Sequence, residues 1–201
     1  MSRPPSFDRT EKVKEAMHLF REQGYEATSV QDLVDHLGLN RSSLYNTFGG
    51  KHDLYLEALD HCRQSERETL GEHLREAPTA MAGIRRAFEA VMEQVRSDPC
   101  GCLTTNATVE CATSDPSTQE RACETLSAMQ TLFRDTVERA QKEGDIDPNR
   151  DAEALGHYLT NAYNGLYLTA KTCPSADVLE AIVAETLRGL RASPETQPER
   201  A

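Results

Sequence analysis

The sequence predicts an all-α fold. Apolar residues recur at helical spacing (i, i+3, i+4, i+7) along most of the 201 residues. Strand-like alternation of apolar and polar residues is scarce. Glycines and Asp-Pro pairs interrupt the helical pattern at intervals, as residues that end helices do. We therefore expect a succession of packed helices joined by short loops.

The first helix is predicted to begin near Thr10 and to end at Gly24, because glycine is favoured just after a helix C-terminus. A second helix begins after Thr28 or Ser29, either of which can cap it, and stops at Gly38. The apolar faces of these two helices are formed by Val13, Ala16, Met17, Phe20, Val30, Leu33, Val34 and Leu37.

Asn40 is a good N-terminal cap for a third helix, RSSLYNTF, whose inward side chains are Leu44 and Phe48. Two glycines then break the pattern, and a long fourth helix is predicted over residues 51–76. The later helices are separated by proline-containing loops, and they are predicted over residues 79–96, 117–143, 151–172 and 176–191. The last nine residues, SPETQPERA, are polar and rich in proline, so we expect a disordered tail.

Charge is distributed unevenly along the chain, whose net charge is −11. The first 52 residues carry seven basic and seven acidic side chains, whereas residues 53–201 carry fifteen basic and twenty-six acidic ones. This asymmetry permits a nucleic-acid contact at the N-terminal end and disfavours one elsewhere. The N-terminus has no apolar signal segment, and no apolar run is long enough to span a bilayer, so we expect a cytoplasmic protein without a membrane partner.

Residues 29–48 form the pattern of a helix-turn-helix: two short amphipathic helices joined by a glycine-containing turn. In such a unit the second helix lies in the major groove of DNA. Arg41 suits guanine, Asn46 suits adenine, and Lys51 suits a phosphate. The competing interpretation is an ordinary polar helix surface, since this geometry also occurs in proteins that bind no DNA.

Residues 9–60 resemble the TetR/AcrR repressors, through FREQGYEATSV, HLGLNRSSLY and FGGKHDLYLEAL. The resemblance implies a homodimer of about nine helices per chain that binds a palindromic operator in double-stranded DNA. It implies a helix-turn-helix DNA-binding head over 1–50, a ligand-binding and dimerisation body over 51–192, and the tail over 193–201. The DNA contacts it implies are Thr28, Ser29, Gln31, Arg41, Ser42, Ser43, Tyr45, Asn46 and Lys51, with the bases read by Arg41, Ser42 and Asn46.

The last two helices carry broad apolar faces. These faces are wide enough to be buried within one chain, or to form a four-helix interface with a second copy. The family resemblance favours the dimer. The residues assigned to that interface are Leu155, Leu159, Tyr163, Leu179, Ile182, Val183 and Leu187.

The stretch PCGCLTTNATVEC, residues 99–111, holds three of the six cysteines. A zinc site requires a second ligand pair. None is convincing, although Cys123, His157 or Cys173 could contribute, so we predict no metal site and no cofactor. A disulfide does not suit a reducing compartment. For Cys62, Cys111 and Cys123 the preferred interpretation is packing as small apolar residues.

Cys102 has a second interpretation. GCLTTNATVE is similar to a segment of the TetR subgroup that includes the N-ethylmaleimide-type repressors, which respond to electrophiles and oxidants through cysteine. Cys102 and Glu110 match that subgroup's spacing, and Lys171 in LTAKTCPS matches a lysine placed near the sensing cysteine, whereas Cys111 is one residue out of step. A thiol at a helix N-terminus should have a lowered pKa, which would favour reactive thiolate.

The competing input is a small apolar or aromatic inducer in a pocket lined by Phe88, Met92, Asn106 and Tyr163. We expect no enzyme, because the chain lacks a nucleophile elbow, a P-loop, a dinucleotide fingerprint and HExxH. The remaining alternatives are a helical interaction module without DNA binding and a thiolate metal-responsive regulator. Either input would act by shifting the helix that starts at Lys51, so that two recognition helices lose register with the operator.

Overall fold

A computed structural model describes residues 7–98, 100–172 and 175–191, which contain helices and no strand. The prediction of an all-α fold is therefore confirmed. The helices are α1 (Arg9–Gln23), α2 (Val30–Leu37), α3 (Arg41–Phe48), α4 (Lys51–Glu76), α5 (Ala80–Ser97), α6 (Leu103–Glu110), α7 (Pro116–Glu143), α8 (Ala152–Thr172) and α9 (Ala176–Leu190). The predicted tail over 193–201 lies outside the described residues.

Side-chain caps fix where the head helices begin. Ser29 Oγ accepts the backbone N–H of Asp32 at 3.1 Å, and the Asp32 carboxylate accepts the Ser29 N–H at 2.8 Å. This reciprocal capping box starts α2 at Ser29 rather than at Thr28. Asn40 accepts the N–H of Ser43 at 2.8 Å and starts α3 as predicted.

The chain divides into two compact units. The first comprises residues 1–68 and 100–126, and the second comprises 69–99 and 127–201. Helix α6 therefore belongs to the first unit, with the head and the first part of α4. The boundary predicted after residue 50 does not coincide with this division, because Leu103, Ala107 and Cys111 are buried in the core of the head.

The core of the first unit is built from the apolar faces that the sequence indicates. Leu44 and Phe48 are buried beneath α3 as predicted. They pack with residues of α1, α2, α4 and α6, namely Val13, Ala16, Phe20, Leu33, Leu37, Leu54, Tyr55, Ala58, Leu59 and Leu103. Burial of the Leu44 and Phe48 side of α3 fixes its orientation and leaves its polar face outside.

The second unit packs α5, the later part of α7, α8 and α9 around an aromatic cluster. Tyr163 lies with its ring centroid 5.8 Å from those of Phe88 and Phe133. Two glycines allow close helix approach. A Cβ on Gly83 would lie 2.8 Å from the Leu74 carbonyl oxygen, and a Cβ on Gly156 would lie 3.0 Å from that of Gln130.

No helix in the described parts of the chain is long and apolar enough to cross a membrane.

Candidate nucleic-acid interface and thiol cluster

The outer face of α3 presents the polar residues predicted to read DNA. Arg41, Ser42, Tyr45 and Asn46 are exposed, and Ser43 is half-buried. Asn46 Nδ2 donates to Ser42 Oγ at 3.3 Å, a weak contact that a base edge can replace. The face offers donors, acceptors and one aromatic ring on a helix whose other side is anchored in the core.

The start of α2 exposes fewer of the predicted DNA-contact residues than the sequence indicated. Ser29 and Gln31 are exposed, and Gln31 Nε2 donates to Asp35 Oδ1 at 2.9 Å. Thr28 is fully buried, and its hydroxyl donates to the Gly24 carbonyl oxygen at 2.6 Å. We correct the assignment of Thr28 accordingly: its side chain ties the loop between α1 and α2 and is not available to DNA.

Lys51 opens α4 next to the recognition helix. Its ammonium group lies 4.2 Å from the centroid of the Tyr25 ring, a cation–π contact. The Tyr25 ring packs in turn on Tyr55, with centroids 4.4 Å apart. Tyr25 therefore sets the position of the ammonium group that was predicted to bind a phosphate.

Glu110, in the last turn of α6, is bonded to the loop that carries Tyr25. Its carboxylate accepts the backbone N–H groups of Tyr25 at 3.1 Å and Glu26 at 2.8 Å. Gly24 makes room for this contact, since a Cβ there would lie 3.0 Å from a Glu110 oxygen and its φ is +87°. One end of α6 is thus fastened to the DNA-binding head.

The N-terminal end of α6 adjoins a group of two thiols and one carboxyl. We call this group the thiol cluster (Cys62, Glu66 and Cys102). The Cys102 thiol donates to Glu66 Oε1 at 2.6 Å, and the Cys62 thiol lies 3.5 Å from the same oxygen. Thr104 Oγ1 donates to the other Glu66 oxygen at 3.2 Å. Cys62 and Glu66 stand one turn apart on α4, and Cys102 is the N-cap of α6.

The predicted lowering of the Cys102 pKa is wrong. A hydrogen bond with the Cys62 thiol and burial together raise the pKa of Cys102 well above its ordinary value. Burial and the neighbouring Cys102 likewise raise the pKa of Glu66. The helix N-terminus does supply one contact, from the Thr105 N–H to the Cys102 sulfur at 3.4 Å, but desolvation outweighs it. Both shifts favour the protonated forms of Cys102 and Glu66.

The other cysteines fall into different environments. Cys111 is buried in the head core, as its interpretation as a packing residue requires. Cys123 is exposed on α7, so that interpretation is wrong for it. Cys173 lies outside the described residues. Lys171 belongs to the second unit, and its placement near Cys102 stays a prediction.

The four residues predicted to line an inducer pocket are not collected in one unit. Phe88 and Tyr163 pack against each other in the second unit. Asn106 belongs to the first unit, where Nδ2 donates to the Cys100 carbonyl oxygen at 3.0 Å. Met92 borders a cavity of about 240 Å³, which is also lined by Val95, Arg96, Ala170, Ala176, Leu179 and Glu180.

Most residues assigned to the dimer interface are buried within the chain itself. These are Leu155, Leu159, Leu179, Val183 and Leu187, while Ile182 and Tyr163 are half-buried. The same two helices expose Tyr158, Leu168 and Val178, each more than 40% accessible. The large apolar side chains that α8 and α9 expose therefore differ from the predicted dimer residues.

Sequence reasoning missed Cys62 and Glu66 as partners of Cys102. Their spacing of four residues on one face of α4 is the local signal. The partnership with Cys102 spans 36 residues, and only the packing of α6 on the head reveals it.

Two family models match the chain. Residues 13–58 match the helix-turn-helix segment of the bacterial regulatory proteins of the tetR family, and residues 80–186 match the tetracyclin repressor-like C-terminal domain.

Curated relatives match over nearly the whole length. YezE, an uncharacterised HTH-type transcriptional regulator of Bacillus subtilis (strain 168), is 30% identical over 90% of this chain and 94% of its own. The HTH-type transcriptional repressor ComR of Escherichia coli (strain K12) is 30% identical over 92% of this chain and 90% of its own.

Solved structures of similar proteins have the same fold. A cysteine-substituted form of the TetR family regulator CifR, in complex with a 26-bp double-strand operator DNA, superposes with a TM-score of 0.84, 27% identity, and coverage of 94% of this chain and 100% of that one. The reduced form of Escherichia coli NemR superposes with a TM-score of 0.83 at 17% identity, over 92% and 97% of the chains, and shows the fold alone. The capped helix-turn-helix, the helical body and these full-length matches together place the chain in the TetR family of bacterial transcriptional regulators.

Proposed function

We propose that the protein is a dimeric one-component repressor that binds a palindromic operator through α3 and Lys51. The observation that carries the proposal is the exposed polar face of α3, with Arg41, Ser42 and Asn46 projecting from a helix whose opposite side is fixed by buried Leu44 and Phe48. A helix of eight residues suits the major groove. Lys51 and Ser43 would contact phosphates and hold the register.

Dimerisation is assigned to the outer faces of α8 and α9. Tyr158, Leu168 and Val178 are the large apolar side chains that these helices leave exposed. Pairing two helices from each chain would bury these side chains in a four-helix interface. A twofold dimer presents two recognition helices. The CifR structure with its double-strand operator DNA supports double-stranded DNA as the partner.

The state of Cys102 is the proposed input to the head. Cys102 caps the start of α6, and Glu110 at the other end holds the backbone of Tyr25, whose ring contacts Lys51. Burial and the raised pKa disfavour the Cys102 thiolate, so the reaction requires an opening that exposes the sulfur. A reaction that then enlarges or charges the sulfur would displace α6 from α4. The displaced α6 would then release the Tyr25 loop, and operator affinity would fall because the altered chain favours a conformation that binds DNA less well.

The cavity beside Met92 supports a second kind of input, a small apolar inducer. Its wall is mainly aliphatic, and Arg96 and Glu180 supply one charge of each sign at its lining. A concave apolar site with few polar groups is typical of small-molecule binding.

Fluorescence anisotropy on DNA from the upstream region of the protein's own gene tests the proposal. Arg41→Ala should weaken specific binding, whereas Arg86→Ala, at another exposed arginine on α5, should not. Treatment with a mild oxidant or a maleimide should release wild type, and a thiol reductant should restore it after oxidation. Neither reagent should release the operator-bound fraction of Cys102→Ser. Cys123→Ser should respond like wild type, and binding by Arg41→Ala equal to wild type would refute the DNA interface.

A further inference from the structure

We infer that Cys62, Glu66 and Cys102 form a binding site for one thiophilic divalent metal ion of the Zn(II) type. The three side chains offer two sulfurs and one carboxylate oxygen, all within 4.8 Å of one another. Thiolate and carboxylate are both established zinc ligands. The donors come from two separate helices, so an ion there would join α4 to the start of α6.

The cluster lacks a cation of its own. Each of its three members is an acid, and Glu66 forms no ion pair with any described residue. The hydrogen bonds of Glu66 come from the two thiols and the Thr104 hydroxyl. Glu66 is half-buried, and a carboxylate that loses part of its water is costly unless it is paired or coordinates a metal.

The donor spacing needs only a small adjustment. Tetrahedral zinc places a sulfur at about 2.3 Å and an oxygen at about 2.0 Å from the ion, so neighbouring donors stand roughly 3.5–3.8 Å apart. The contact between Cys62 and Glu66 is already 3.5 Å, and the contact between Cys102 and Glu66 is 2.6 Å. A rotation of the Cys102 or Glu66 side chain would open that second contact by about 1 Å.

Binding is a ligand exchange without any redox step. The ion takes the place of the thiol protons of Cys62 and Cys102 and of any proton on Glu66, and these protons pass to solvent. Three protein ligands leave one position of the tetrahedron for water. Thr104 continues to donate a hydrogen bond to the second Glu66 oxygen. It thereby orients the carboxylate from outside the coordination shell.

The effect of the ion on DNA binding rests on the proposed function. Zinc would hold the N-terminus of α6 against α4, while Glu110 holds the other end of α6 to the head. Removal or capture of the ion would then alter the support of the Tyr25 loop. Ion binding itself does not depend on this step and is measured separately.

The test is a titration of reduced, metal-free, full-length protein with Co(II) in the absence of oxygen. Cobalt bound to thiolates gives near-ultraviolet charge-transfer absorption, which Zn(II) should abolish by displacement. We expect saturation at one equivalent. Cys62→Ser and Cys102→Ser should each lose about half of the band or more, and Glu66→Gln should weaken binding by about tenfold or more. Cys123→Ser, at an exposed thiol on α7, should match wild type.

A wild-type protein without a thiolate band, or a Cys102→Ser protein that binds Co(II) as wild type does, would overturn the site. Circular dichroism checks that each variant is folded. If Cys102→Ser is unfolded, X-ray absorption at the zinc edge of the wild-type protein tests the site instead. A coordination shell of oxygen and nitrogen without sulfur would contradict the assignment. Operator anisotropy run in parallel separates the hypotheses: failure to bind DNA refutes the proposed function while the cobalt band still reports on the ion.

Discussion

Glu110 accepts the backbone N–H of Tyr25 at 3.1 Å, although 85 residues separate them in sequence. The same carboxylate also accepts the N–H of Glu26. Two otherwise unpaired donors of the loop between α1 and α2 are thereby satisfied from the end of α6. This contact makes the position of α6 a determinant of the geometry of the head.

Glu110→Ala should therefore lower both stability and operator affinity. Loss of the two hydrogen bonds should reduce the free energy of unfolding by about 1–2 kcal/mol, as measured in urea. Affinity should fall because the Tyr25 ring no longer has a fixed position beneath Lys51. Glu120→Ala, an exposed glutamate on α7, is the control. Unchanged stability and affinity in Glu110→Ala would show that the contact is dispensable.

Substitutions of Arg41 and of Lys51 should weaken operator binding in different ways. If Arg41 forms a bidentate contact with guanine, Arg41→Ala should cost about 1–3 kcal/mol and relax the preference at that base pair. Lys51→Ala should weaken binding evenly across sequences and reduce the salt-dependence slope by about one. Anisotropy on operator variants over a range of salt concentrations measures both. An even loss in Arg41→Ala would reassign it to the phosphate backbone.

The outer faces of α8 and α9 should control the oligomeric state. Tyr158→Glu combined with Val178→Glu places two charges on surfaces that the dimer would bury, so the protein should become monomeric. Operator affinity should also fall, because a monomer contacts one half-site and a dimer contacts two. Light scattering after size exclusion measures the mass. Val109→Glu, at an exposed valine on α6, should remain dimeric, and a dimeric double variant would place the interface elsewhere.

Asp115 should contribute to stability in a pH-dependent way. Hydrogen bonding from Thr118 holds the pKa of the Asp115 carboxyl below its usual range. Because the folded pKa is the lower one, this stabilisation is complete above the unfolded value of about 3.9 and is lost as pH falls through the folded value.

Asp115→Asn should accordingly flatten the acid limb of the stability curve below about pH 5. Urea unfolding at a series of pH values measures this limb. Asp145→Asn, at an exposed aspartate after α7, should leave its slope unchanged. A slope in Asp115→Asn identical to wild type would assign acid sensitivity to other carboxyl groups.

Helix boundaries were predictable because local chemistry decides them. Ser29 with Asp32, and Asn40 with the N–H of Ser43, cap α2 and α3 where the sequence indicated. The buried pair Leu44 and Phe48 likewise followed from helical spacing. These features depend on residues within one turn of each other, and a single chain displays them directly.

The thiol cluster was not predictable in the same way. Its three groups lie on two helices that are distant in sequence, and the sign of the Cys102 pKa shift depends on the hydrogen bond with Cys62 and on burial. For a related reason, the burial of most predicted dimer residues within the chain was not predictable. Periodicity identifies an apolar face such as that of Leu159 or Val183, but it does not say whether the same chain already covers that face.

The two glycines at helix crossings, Gly83 and Gly156, also limit how the protein can change by mutation. A Cβ at Gly83 would collide with the Leu74 carbonyl oxygen, and a Cβ at Gly156 would be crowded against the Gln130 carbonyl oxygen. No rotamer moves a Cβ away from either oxygen. In a genetic selection for loss of repression, alleles at these positions should arise as temperature-sensitive alleles. Alleles at Arg41 should be defective at every temperature. The map of such alleles would separate the scaffold from the operator contacts without any structural measurement.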